Sequence, residues 1–171
     1  MAITVGTDTY VTLVEADTYV SANYVSTDTE YTSWDALDDS DKEIYLKKAT
    51  KKIDRQRLIG IKAVDSQTLE FPRAILTDYD REDLPTLSLR FDSDWLIQTE
   101  VPQQVKDAQV EEAVKMSIGI SKRQDLQREG VQSFRLGNLS ENYGSSAYND
   151  FVSYEAKELM KPYTQGGFPI R

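Results

Sequence analysis

The sequence predicts a mainly α-helical protein: a small helical bundle with a long irregular loop, a short β-hairpin or hook, and an extended C-terminal tail. Three observations point there. Several segments carry apolar residues at helical spacing and open on capping residues. Residues 61–102 hold three prolines and no sustained period, and Gly137-Asn138 separates two short β-compatible runs.

The first helix is expected from Thr12 to near Asn23, because Thr12 and Glu15 form a capping-box pattern ahead of Val14, Ala16, Tyr19 and Val20. Residues 26–43 (STDTEYTSWDALDDSDKE) read as polar loop anchored by Trp34, with Ser33 able to cap a short turn of WDAL. Ser40 and Glu43 repeat the capping-box spacing and open a helix expected over 41–58, with Gly60 as its stop. Leu46, Ala49, Ile53 and, at the margin, Tyr45 share one face. Lys47, Lys51 and Arg55 follow at four-residue steps with Lys48 and Lys52 beside them, covering the opposite arc.

Short extended pieces and loops are expected from 60 to 101. Within TLEFPRAIL (68–76), Leu69 and Phe71 read as alternate residues of an edge segment pinned by Pro72. Arg73 is then placed to bond carbonyls or a carboxylate, in its own subunit or the next. Phe71, Pro72 and Arg73 together read as a structural turn fixing the loop to the bundle. A helix follows over 102–126 with Pro102 in its first position. Its apolar residues, from Val105 and Ala108 to Ile118 and Ile120, spread wider than one stripe, as in the central helix of a bundle or at a subunit contact. A hairpin over 131–144 and a last helix over 147–161 complete the order, with Phe151, Tyr154, Leu159 and Met160 as contact side chains. Pro162 closes that helix, and TQGGFPIR forms the tail with Phe168 and Ile170 as anchors. The expected division is a helical domain at 1–130, including the loop at 60–101, and a hook, helix and docking tail at 131–171.

Composition narrows the chemistry. The 171 residues fit one domain with a tail, and 39% apolar content supports a modest core. The chain has no Cys and no His, which removes disulfides, thiolate and imidazole ligands, and His-based proton transfer. Catalysis is therefore not expected, and no cofactor is. No apolar run approaches the roughly 18–20 residues that span a bilayer, and MAITVGTDTY lacks the pattern of a secretory signal. A soluble protein of the cytoplasm, with no membrane contact, is the expectation. Asp78 with Asp80 and Asp92 with Asp94 suggest oxygen ligands, but an EF-hand loop started at Asp78 meets Asp83 and Leu89 where it needs Gly and Glu. Solvated loop carboxylates are the reading, and no metal is expected.

The net charge of −9 is unevenly spread: residues 1–46 hold ten acids and one base, and residues 47–57 hold six bases and one acid. Lys47, Lys48, Lys51, Lys52 and Arg55 are thus candidate DNA-facing residues, or else a solvated face balancing the acidic N-terminal third.

The order of motifs resembles that of head–tail connector (adaptor, or head-completion) proteins of tailed bacteriophages. It runs TYVTLVEADTYV, WDAL with DDSDKE, LKKATKKID, TLEFPRA, VPQQVKDAQVEEAV, FRLGNLSENYG and KPYTQGG, spanning about residues 8–169. Many of that group carry a DnaT-like single-stranded-DNA-binding label. The resemblance implies a helical virion protein of the neck, assembled in the host cytoplasm as a twelvefold ring. Its partners would be the portal and the tail or tail-completion proteins, with genomic DNA passing through without specific binding. Tyr154, Met160, Tyr163, Phe168 and Ile170 are the residues expected to dock on the portal or a neighbouring subunit. The competing expectation is a single-stranded-DNA binder using the basic helix 47–57.

Overall fold

The computed structural model describes residues 3–76, 95–119, 133–136, 139–142 and 151–165. It is mainly helical, as expected. Helix α1 (Leu13–Asn23) begins on the predicted capping box: Thr12 Oγ1 accepts from the Glu15 amide, and the Glu15 carboxylate accepts from the Thr12 amide at 2.6 Å. Those contacts, led by the Thr12 amide, hold the Glu15 carboxyl below its ordinary range.

The next two helices start at other residues than expected. Helix α2 (Thr29–Asp35) is capped at Asp28 and reaches back before Ser33; its turn buries Trp34, whose indole N–H donates to Asp17 at 2.8 Å. Helix α3 (Asp39–Asp54) is capped by Asp38, not Ser40. The Asp38 carboxylate accepts from the Asp41 amide at 2.8 Å and the Ser40 hydroxyl at 2.7 Å. An ionised acceptor makes the stronger bond, so Ser40 is absorbed into the first turn. The helix also stops at Asp54, short of 58, and Gly60 lies beyond its end.

Strands β1 (Ile61–Lys62), β2 (Arg73–Leu76) and β3 (Trp95–Ile97) form an antiparallel sheet with β2 in the middle, aligning Ile61, Ala74 and Ile97. This corrects the edge-segment reading of TLEFPRAIL. Pro72 stands just before the ladder, where its missing N–H costs no strand hydrogen bond, and the strand that follows is central. The Phe71–Pro72 peptide is cis. Leu69 and Phe71 turn into the helical core. At Gly60, with φ +74°, a Cβ would sit 2.2 Å from the Ala74 carbonyl oxygen. Gly60→Ala should therefore destabilise the protein by more than the about 1–3 kcal/mol of backbone strain alone; a urea midpoint equal to wild type would contradict that packing.

Helix α4 (Gln103–Ile118) starts one residue later than expected, with Pro102 as its cap. It ends at Ile118, capped by Gly119 at φ +89°, short of the expected 126; residues 120–126 lie outside the described residues. The helix is a wall between two apolar clusters. Val105 and Ala108 join Tyr10, Ile53, Leu69, Phe71, Phe151, Ala156 and Met160; Val110, Ala113 and Val114 join Val11, Ala16, Val20, Trp34, Leu46 and Ala49. Its wide apolar distribution is that of a central bundle helix. Residues from both expected segments, 1–130 and 131–171, meet in the first cluster.

Strands β4 (Ser133–Leu136) and β5 (Leu139–Asn142) pair as the expected hairpin, with Leu136 opposite Leu139 across Gly137-Asn138. Helix α5 (Tyr154–Met160) begins at Ser153, whose hydroxyl accepts from the Ala156 amide at 3.1 Å. Residues 147–150 of the expected helix lie outside the described residues; at Val152 and Ser153 the Glu112 carboxylate takes both amides, holding that segment outside the helix. A 3-10 turn, Lys161–Tyr163, contains Pro162 and ends α5. Among the described residues no helix is long and apolar enough to cross a membrane.

Candidate interaction surfaces

The basic segment divides by angle around α3. At about 100° per residue, Lys48, Lys51 and Arg55 point directly away from the buried line of Leu46, Ala49 and Ile53, and all three are exposed. Lys47 and Lys52 lie on the flanks, where the protein uses them. Lys47 is 4.0 Å from Asp8. Lys52 Nζ donates at 2.7 Å to Glu112, a carboxylate with no exposed surface. The candidate DNA-facing set thus shrinks from five residues to three, because packing recruits the outer two. The Lys48 ammonium also lies 5.2 Å from the centre of the Tyr45 ring.

A family model described as "Putative DnaT-like ssDNA binding protein" matches residues 2–170. The chain belongs to that family. Neither the curated proteins nor the solved structures yield a match.

In this member of the DnaT-like family, the residues expected to dock partners separate. Tyr154 is 67% exposed on α5. Met160 is completely buried, because its spacing of four from Ala156 puts it on the helix's inner face, so it is a core residue and not a docking surface. Tyr163 is half-buried: its ring meets Phe71 edge-on at 5.5 Å, and its hydroxyl donates to Gln104 at 3.1 Å. Burial raises its phenol pKa. Phe168 and Ile170 lie outside the described residues, as do Asp78, Asp80, Asp92 and Asp94. Among the described residues no group of three acidic side chains could hold a metal ion.

Arg73 fulfils the intrachain half of its expectation. Nε donates to the Ile59 carbonyl at 2.8 Å, Nη2 to Gly60 at 2.7 Å, and Nη1 to the Glu70 carboxylate at 2.6 Å. It is buried and spent on its own chain. Phe71, Pro72 and Arg73 are therefore a structural turn that joins the sheet to the bundle.

Other polar side chains serve as internal clamps, which sequence reasoning missed. Tyr19 and Tyr24 both donate to Glu111, at 2.9 and 2.6 Å, and tie α1 to α4. Burial first, and then the Glu111 charge, push both phenols well above their ordinary pKa. Gln109 accepts from the Tyr10 amide at 2.9 Å and donates to the Leu46 carbonyl at 3.2 Å. The Tyr10 hydroxyl donates to Asp54. No short-range pattern marks these pairs, since the Glu111 contacts span 92 and 87 residues.

Apolar side chains also remain outside the two clusters, on several different elements. Val14 projects from α1 beside a shallow groove of about 370 Å³ toward α4. Ile44 projects from α3, Ile61 and Ile97 from the sheet, and Tyr154 from α5.

Proposed function

We propose that the chain is a connector subunit of a tailed-phage neck: a structural virion protein, without catalysis, that forms a ring between the portal and tail-completion proteins. The observation that carries this reading is the spread of exposed apolar residues over α1, α3, the sheet and α5: Val14, Ile44, Ile61, Ile97 and Tyr154. A ring subunit needs two different, mutually complementary surfaces, unlike the single self-matching patch of a twofold dimer. The order of motifs along nearly the whole chain supports the same reading. So does the net charge of −9, since a channel wall that lets DNA slide should not grip phosphates.

The test is electron microscopy of the purified protein mixed with a portal, where rings stacked on the portal are expected. A protein that never associates with portals across a range of ionic strengths would remove the reading. A truncation used in such work should begin at residue 166. Cutting earlier removes Tyr163 from Phe71, as well as the Gln165 amide bond to the Arg57 carbonyl at 2.8 Å. A deletion of 162–171 would therefore disturb the core along with the tail.

The family description speaks for a second reading, single-stranded-DNA binding, and Lys48, Lys51 and Arg55 are its specific support. Three phosphate contacts predict a slope of about +2 in log Kd against log salt for a single strand, binding weakening as salt rises. Anisotropy with a labelled oligothymidine at low salt measures this directly. Binding with that slope, lost in Lys51→Glu, would favour the second reading over the first.

A further inference from the structure

We infer that the outward stripe of α3 docks on the acidic α2–α3 corner of a second copy of this chain, head to tail. The inference rests on the ring proposed above and names its contact surface. The stripe is Ile44, Lys48, Lys51 and Arg55, spaced to lie on one line opposite the core, and every member is exposed. Ile44 is 48% exposed, an apolar residue at the head of a cationic line.

The stripe gathers three cations, unpaired among the described residues, on one line of an acidic chain. Acids outnumber bases, 29 to 20. Most other described cations find carboxylates, among them Lys42 with Asp17, Lys47 with Asp8, Lys52 with Glu112, Lys106 with Glu15 and Lys115 with Glu30, whereas Arg57, Arg135 and Lys157 pair with none among the described residues. Lys48, Lys51 and Arg55 form no ion pair among the described residues. At the opposite end of α3, where α2 leads into it, Asp35, Asp38, Asp39 and Asp41 are all exposed. No described cation pairs with any of them.

These two ends cannot neutralise each other within one molecule. Asp39 and Lys51 are about 18 Å apart along the axis at 1.5 Å per residue, beyond the roughly 8 Å screening length at physiological ionic strength. Attraction to the helix dipole accounts for acids in the first turn and bases in the last. It does not reach Lys48 in the middle. A second copy placed head to tail brings the cationic stripe against the acidic corner, and it leaves one stripe and one corner free to continue. Contacts of that heterologous kind close into rings or extend as filaments.

The test uses the full chain and two charge-reversed variants, Lys48→Glu/Lys51→Glu/Arg55→Glu and Asp35→Lys/Asp39→Lys/Asp41→Lys, each checked for wild-type circular dichroism. Sedimentation velocity at low salt should show wild-type oligomers that dissociate as salt rises. Each variant alone should associate at least about tenfold more weakly, because like charges then face each other. An equimolar mixture of the two should regain association, since each supplies the complement the other lacks. A mixture of folded variants that stays monomeric overturns the inference, as does a wild type that is monomeric at low salt. Association that survives reversal of the stripe places the contact elsewhere and leaves the connector reading standing. If reversal abolishes oligothymidine binding without altering self-association, the stripe belongs to DNA and this inference falls.

Discussion

Glu112→Ala is expected to destabilise the protein by about 3–5 kcal/mol, the cost of leaving one partner of a buried charge pair alone. Glu112 has no exposed surface and holds three donors at once: Lys52 Nζ at 2.7 Å, the Val152 amide at 2.9 Å and the Ser153 amide at 2.8 Å. Removing the carboxylate strands two buried amides as well as the ammonium. It also releases the segment that seats α5 on α4, since Val152 and Ser153 immediately precede that helix. Glu112→Gln keeps an acceptor for the amides and should lose roughly half as much. Urea unfolding of both variants measures the order. A Glu112→Ala protein within about 1 kcal/mol of wild type would show that the clamp does not hold α5.

Phe71→Ala should cost about 3–5 kcal/mol as well, the range for emptying a buried phenylalanine site. The ring is 2% exposed and meets two tyrosines edge-on, Tyr10 at 5.9 Å and Tyr163 at 5.5 Å, with the Arg73 guanidinium 5.9 Å from its centre. Such aromatic pairs add about 0.5–1.5 kcal/mol each beyond area burial. Phe71→Leu refills part of the volume and should lose less than half as much. Because Tyr163 rests on this ring, Phe71→Ala should also expose the chain after Met160 to limited proteolysis. Unchanged protease resistance there would mean that Tyr163 is held by Gln104 alone.

Much of the fold was legible because its signals are local. The Thr12–Glu15 box lies within four residues, and it forms as written. The two short runs flanking Gly137-Asn138 and the wide apolar surface of α4 are equally local patterns; the runs pair and the helix is buried on both sides, as expected. Start positions slipped where two acceptors competed within a few residues, as Asp38 and Ser40 did at α3. The sheet was less legible: β1, β2 and β3 are two to four residues long, too short for a period to show. Pro72 suggested an edge, yet it only marks the position just before a central strand.

The candidate surface needed the tertiary structure. From the sequence, five cations on α3 were equivalent members of one basic arc. The sequence alone determined their residue types, their helical spacing, the absence of Cys and His, and the acidic balance of the whole chain. Packing decided which of the five remain available. It brought Asp8 to Lys47 and Glu112 to Lys52, across 39 and 60 residues. It left Lys48, Lys51 and Arg55 on the line directly opposite the core. Periodicity places a side chain around its own helix, but a charge finds its partner only when distant segments are packed side by side.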